Sequence, residues 1–272
     1  MAPRLIIEAG RTDRQYWRDL WRYRELFLFL AWRDLLIRYK QTAVGVTWSI
    51  IRPLLTMLAL VLAMKVGKLH SGGVPAPLFV FCAMLPWQFF STALSESGNS
   101  LVNNPHLISK VYCPRLVIPA SSVITCFVDF LISFGFMALM LAWYHLMPPV
   151  NIFFLPFFML LMFGASFGTG VWLSALMVKY RDFRFIVPFV VQFGLYVVPV
   201  IIMTGDVEEK WRLLYSLNPI VGIIDGFRWC LLGGEHRIFV PGLIASVVGV
   251  LLLVWSGLWY FRRTERTFAD MI

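Results

Sequence analysis

Catalytic and metal chemistry both need side chains that come in sets, and the four histidines do not form one. His70, His106, His145 and His236 fall in separate stretches, with no spacing that places two on one helical face beside a carboxylate, so no metal site is expected. A GxxxxGK[ST] phosphate loop is also absent; the one Gly-Lys dipeptide, Gly67-Lys68, is followed by Leu69. If ATP drives the protein, it is hydrolysed on another chain. Neither a Ser-His-Asp set nor a close pair of carboxylates is evident, and no catalytic residue is assigned. The ionisable residues that stand out are Arg52 and Asp129, each inside a run of apolar residues. A charge that faces lipid costs at least about 2.5 kcal/mol, so both are expected to face protein or water. Arg52 reads either as part of a channel entrance or as a side chain snorkelling to the interface. Asp129 reads either as a partner for another helix or as a pore residue.

The elements that would have to position these residues belong to a membrane. The chain has 272 residues, 59% hydrophobic and only 14% charged, with several apolar runs of the roughly 20 residues needed to cross a bilayer. That excludes a soluble protein and leaves no room for a soluble catalytic domain of ordinary size. A net charge of +9 would suggest nucleic acid in a soluble protein. In a membrane protein an excess of Lys and Arg reports orientation, and no nucleic-acid partner is expected. The N-terminal stretch through Asp19 is polar, with Arg4, Arg11, Arg14 and Arg18 and no cleavable apolar core, so it is expected to remain in the mature protein.

Six spans are predicted, at residues 44–64, 78–94, 116–143, 152–178, 185–204 and 241–261. Of the 24 Lys and Arg residues, 18 fall on the side that carries both termini, which places the termini in the cytoplasm. On this layout Cys82 and Cys126 lie in the bilayer, Cys113 on the cytoplasmic side and Cys230 on the far side, so no intrachain disulfide is expected. Residues 21–41 read as a helix in the cytoplasmic interface, broadly apolar, with Asp34 and Arg38 spaced to support it as an acid-first pair. The fold class is thus an all-α polytopic membrane protein, with a tail at 1–20, the interface helix at 21–41 and a six-helix transmembrane domain at 42–272. Between spans five and six, three apolar stretches too short to cross, 213–217, 219–224 and 227–232, read as short re-entrant helices. The chain shows no internal repeat, which gives no support to a secondary carrier.

Several phrases together resemble the ABC-2-type permeases that export O-antigen, capsule and teichoic acid. They are WRDLLIRYKQTAVGVTW at 32–48, LPWQFF at 85–90, NNPHLISKVYCPRLVIP at 103–119, YRDFRFIVPFVVQFGLYVVP at 180–199, LNPIVGIIDGFRWCLLG at 217–233 and the tail at 265–272. The resemblance covers most of the chain from Asp19 onward. It implies a homodimer of permeases in the bacterial inner membrane, served by two copies of a separate nucleotide-binding ATPase that holds the ATP and Mg. This chain would then carry no cofactor. The cargo implied is a glycan on undecaprenyl pyrophosphate, with O-antigen preferred over capsule or teichoic acid. A secondary carrier or a membrane enzyme of lipid-linked glycan metabolism are the rival classes, and the scarcity of buried ionisable groups speaks against both.

The resemblance also gives roles to particular residues. The connection between spans two and three would be a coupling helix docking on the ATPase, with Asn103, Asn104, Pro105, His106, Ile108 and Lys110 as its members; an ordinary solvated loop is the alternative. Arg33, Arg38, Tyr39 and Lys40 would meet the lipid pyrophosphate, since a guanidinium fork can donate two hydrogen bonds to phosphate oxygens. Positive-inside anchoring to anionic lipid explains the same residues. Arg52 joins this group as a candidate at the entrance. Trp87, Phe89, Phe90, Tyr196 and Trp229 could stack on sugar rings along a conduit, or serve in the bilayer belt and in helix packing. Gly164, Gly168 and Gly170 form a small-residue face suited to close helix packing.

Overall fold

A computed structural model describes residues 18, 20, 22–40, 47–110, 114–233 and 238–268; most of the N-terminal tail, the side chains of Arg52, Ile108 and Lys110, and Cys113 and His236 lie outside the described residues. The helices in chain order are α1 (Arg24–Lys40), α2 (Thr47–Val66), α3 (Ala76–Asn103), α4 (Pro105–Lys110), α5 (Val117–Trp143), α6 (Leu155–Lys179), α7 (Phe183–Val197), α8 (Glu209–Tyr215), α9 (Pro219–Leu231) and α10 (Val240–Thr264). No strand occurs among the described residues.

Among the described residues four helices are long and apolar enough to cross a membrane: α3, α5, α6 together with its leading 3-10 turn from Val150, and α10. They coincide with the predicted spans at 78–94, 116–143, 152–178 and 241–261. The other two predicted runs are shorter as helices. The apolar part of α2 is Pro53–Val66, and α7 has 15 residues, below the roughly 20 that a straight crossing needs. The run at 185–204 overshoots the helix because Val198 precedes Pro199. The proline ring disfavours helical geometry at the residue before it, and Val198 turns out to φ −87°, ψ 154°.

Helix α3 is the hub. Its span-length window is 78% buried, against 22% for α10, so α3 is the core and α10 the rim. It packs on α2, α5, α6, α7 and α9. Phe89 of α3 meets Phe127 and Phe130 of α5 at 5.7 and 5.8 Å and Phe163 of α6 at 6.5 Å. Phe130 in turn meets Phe227 of α9 at 6.1 Å. On the far side of α6 the small-residue face does what its composition suggests. A Cβ on Gly168 would lie 2.7 Å from the backbone of Leu253 and Val254, and one on Gly257 would lie 2.4 Å from the Gly168 carbonyl. Only glycine at both positions lets α6 and α10 approach so closely.

The predicted stretches 219–224 and 227–232 are not separate elements; they form the single helix α9, which Asp225 and Gly226 do not interrupt. Its start is well specified, with Pro219 at the first helical position and the Asn218 side chain accepting from the Ile220 amide.

Helix α1 buries Leu30 and Ala31 and exposes Leu28, Phe29, Trp32 and Leu36 on its other face. It packs along α5. The Thr125 hydroxyl reaches the Ala31 carbonyl at 3.5 Å, and seven residues later Arg38 reaches Asp129. Both contacts advance in the same direction along the two chains, so α1 climbs beside α5 toward its middle.

Candidate functional site

Where α1 leans on α3 and α5 it leaves a cleft of about 400 Å³. Arg33, Asp34, Ile37 and Arg38 wall it from α1, Glu96, Ser100, Asn103 and Asn104 from the end of α3, and Ser122 and Thr125 from α5. Three helices therefore build it, and two ion pairs cross between them.

Arg38 is the centre of that network. Its Nη1 pairs with Asp129 Oδ2, and its Nη2 lies 3.2 Å from Glu96 Oε1, so one guanidinium ties α1 to both α5 and α3. The Tyr39 hydroxyl donates to the other Asp129 oxygen. Burial works against the Arg38 charge, but Asp129 and Glu96 more than offset it and raise its pKa above the ordinary arginine value. Asp129, a lone carboxylate within α5, thus has its partner on another helix, which is how an ionisable group survives in an apolar span.

Arg33 lies lower on α1. Its Nε and Nη2 donate to Asp34 Oδ1 at 3.0 and 2.7 Å, and Nη2 also approaches Asn104 Oδ1 at 3.4 Å. The predicted local pair between Asp34 and Arg38 is thereby corrected: the helix is present, but Asp34 serves Arg33 while Arg38 takes partners from distant helices. The more desolvated carboxylate of Asp129 on α5 competes better for a guanidinium than an i,i+4 neighbour worth a few tenths of a kcal/mol.

Two residue groups assigned separately from the sequence meet here. Arg33 and Arg38 share the cleft with Asn103 and Asn104 of the expected coupling segment. Asn104 sits between α3 and α4, its amide nitrogen donating to the Ser100 carbonyl at 2.9 Å, and Pro105 starts α4. Asn103 and His106 are exposed at this turn. Tyr39 stands beside the cleft at Asp129, and Lys40 is exposed at the end of α1.

The aromatic candidates are not brought together. Trp87 and Phe89 are buried in α3, Phe90 lies 5.9 Å from Trp87, Tyr196 is exposed on α7, and Trp229 packs on Phe154 at 5.6 Å. Sequence reasoning missed Glu96, although it carried a signal as the single charged residue of α3. It also missed a second polar node on α9. Arg228, 2% exposed, donates to the carbonyls of Ile202 and Val200 at 3.1 and 2.8 Å and lies 3.7 Å over the Phe79 ring. Close by, the Thr204 hydroxyl donates to Asp225 at 2.9 Å. The carbonyls that Arg228 satisfies belong to the irregular segment after α7, whose backbone has no helix to bond with.

Known proteins resemble this chain in sequence along nearly its whole length. The chain is 28% identical over 260 residues to the O-antigen export system permease protein RfbA of Myxococcus xanthus, covering 94% of this chain and 98% of the relative. It is 24% identical over 258 residues to the protein of the same name from Klebsiella pneumoniae, covering 91% and 95%. Residues 25–232, from the start of α1 to the end of α9, match the ABC-2 type transporter family. With four apolar helices of membrane-crossing length among its described residues, this chain is a multi-pass membrane protein that belongs to the ABC-2 type transporter family.

Proposed function

We propose that the chain is the permease subunit of an ATP-driven exporter that carries lipopolysaccharide O-antigen, linked to undecaprenyl pyrophosphate, across the bacterial inner membrane. The observation that carries this reading is the end-to-end similarity to two permeases named for O-antigen export. Two copies form the conduit, and each works with a separate nucleotide-binding subunit that binds ATP and Mg. The domain layout is a tail at 1–20, an interface helix at 21–41 and a transmembrane domain at 42–272 with six spans, in which α2 and α7 supply the first and fifth. Both termini face the cytoplasm, in keeping with the bias of Lys and Arg toward that side.

On this orientation the turn from Asn103 to Lys110 faces the ATPase, and the cleft above it opens toward the cytoplasmic leaflet. The pyrophosphate headgroup enters there, met by Arg33 and Arg38, with Tyr39 beside them; Lys40 and Arg52 are further candidates at the entrance. Their sharing of one cleft with Asn103 and Asn104 supports a headgroup site placed next to the coupling turn. Trp87, Phe90, Tyr196 and Trp229 remain conduit candidates in the assembled dimer.

The test is co-purification of the chain with the nucleotide-binding protein encoded beside it, followed by ATPase and export assays. Substitution of the exposed Asn103 and His106 is expected to leave the permease folded while reducing export per ATP hydrolysed. A complex whose export is indifferent to both substitutions overturns the coupling assignment. Export by the permease with no ATPase present overturns the exporter reading itself.

A further inference from the structure

The cleft has an electrostatic property that its proposed use does not explain. Among the described residues, two guanidiniums, Arg33 and Arg38, face three carboxylates, Asp34, Glu96 and Asp129. A site built simply to collect anions would keep its positive charge uncompensated. Here every arginine already has a carboxylate, so an incoming anion competes with one for the guanidinium.

We propose that Glu96 and Asp129 act as a selectivity filter on Arg38: they hold its guanidinium while the cleft is empty and yield it only to a diphosphate, turning away the singly charged headgroups of ordinary phospholipids. The inference rests on the assignment of this cleft to the lipid-diphosphate headgroup. It adds which residues make the choice and against what they choose.

The chemistry favours an exchange of this kind. Carboxylate and phosphate oxygens both accept from the edge of a guanidinium, so one can stand in for the other. A phosphodiester lipid carries one negative charge, no more than the carboxylate it would replace, and gains little by the swap. A diphosphate presents more charge and several acceptor oxygens to the same edge, and it can engage Arg33 from within the same cleft. At about 400 Å³ the cleft lies in the range of small-ligand sites. Neutral side chains from Ser100, Asn103, Ser122 and Thr125 complete its walls.

The two carboxylates differ in how they can let go. The Glu96 side chain is 50% exposed, so it can turn to water at small cost once displaced. Asp129 is 20% exposed and would be stranded by the loss of Arg38, but the Tyr39 hydroxyl holds its other oxygen and stays with it. Glu96 is therefore the partner that leaves first. Asp129 with Tyr39 is the part of the latch that keeps α1 on α5 while Arg38 changes hands.

The test uses the purified full-length permease in nanodiscs of phosphatidylcholine alone or of equal parts phosphatidylcholine and phosphatidylglycerol. Binding of radiolabelled farnesyl diphosphate is measured in each. The unsubstituted protein is expected to bind about equally well in both bilayers, because phosphatidylglycerol does not take Arg38. Glu96→Gln, a change at a half-exposed side chain that leaves the fold intact, is expected to bind about tenfold tighter in phosphatidylcholine, about 1.4 kcal/mol, and to lose most of that gain when phosphatidylglycerol is present. Arg38→Gln is expected to lose binding in both.

Glu96→Gln behaving like the unsubstituted protein in both bilayers overturns the filter while leaving the headgroup site standing. Arg38→Gln binding as well as the unsubstituted protein overturns the headgroup site, and the filter with it. Inorganic pyrophosphate added as competitor separates the two sources of the ligand. Competition assigns recognition to the diphosphate alone, and its absence, with farnesyl diphosphate still bound selectively, assigns it to a headgroup delivered from the bilayer; both outcomes retain the exchange at Arg38.

Discussion

Arg38 and Arg228 are both arginines held among apolar helices, yet their surroundings differ in a way that separates a movable charge from a fixed one. Arg228 is sealed, bonded to two backbone carbonyls and stacked on Phe79. Backbone carbonyls cannot leave without unfolding the segment that carries them. Arg38 is bonded to two side-chain carboxylates on different helices and borders an open cleft. Side chains can turn away, so a guanidinium held by them can change partners. The node at Arg228 repairs a break in the fold, whereas the one at Arg38 leaves room for a ligand.

The largest effect that could break this contrast is at Arg228. Arg228→Met strands the buried Val200 carbonyl and takes the donor from the Ile202 carbonyl at the edge of the same segment. Hydrogen bonds to a charged group contribute about 1.5–3 kcal/mol each, so a stability loss of about 3 kcal/mol or more is expected, read as a lowered thermal midpoint in detergent. An unchanged midpoint would mean that the segment after α7 holds itself, and the two arginines would no longer differ in kind. Thr204→Val tests the same node more gently. It deprives the partly buried Asp225 of its hydroxyl donor, at an expected cost of about 1–3 kcal/mol by the same measurement.

The reverse pattern is expected at the cleft. Arg38→Gln removes two partly exposed pairs, each contributing about 1 kcal/mol or less to stability, while Tyr39 continues to hold Asp129. Export assayed in cells should nevertheless fall far more than for Thr204→Val. If Arg38→Gln instead unfolds the protein as severely as Arg228→Met, the network at Arg38 is structural and the contrast fails.

Much of the helical framework was legible from hydropathy, and the reasons for its misses are local. The run at 185–204 stays apolar past the helix end, because hydropathy does not register that Pro199 forces Val198 out of helical geometry. Nor could it show that the carbonyls freed there are met by an arginine 26 and 28 residues further on. For the cleft, Arg33 and Arg38 were visible as basic residues closing an apolar helix, and Asp129 as a charge in need of a partner. Their pairing was not, since Arg38 and Asp129 stand 91 residues apart. The nearer and plainer partner, Asp34, drew the assignment instead. Spacing rules describe a helix in isolation, and here tertiary carboxylates outcompeted the local one.

Asp34 also provides the smallest and sharpest test. It pairs only with its neighbour Arg33 among the ion pairs described, with side chains 28% and 34% exposed, so Asp34→Asn should shift the thermal midpoint by the equivalent of about 1 kcal/mol or less. Yet it changes the charge of the cleft from two guanidiniums against three carboxylates to two against two. If displacement of carboxylates limits anion entry, farnesyl diphosphate should bind about threefold tighter to Asp34→Asn, a smaller gain than for Glu96→Gln, because Arg33 would still be engaged with Asn104. A gain equal to that of Glu96→Gln would mean that total charge alone governs entry and that no single arginine is being contested. Weaker binding would mean that Asp34 orients Arg33 toward the ligand, giving the lower arginine a held position and reserving the exchange for Arg38.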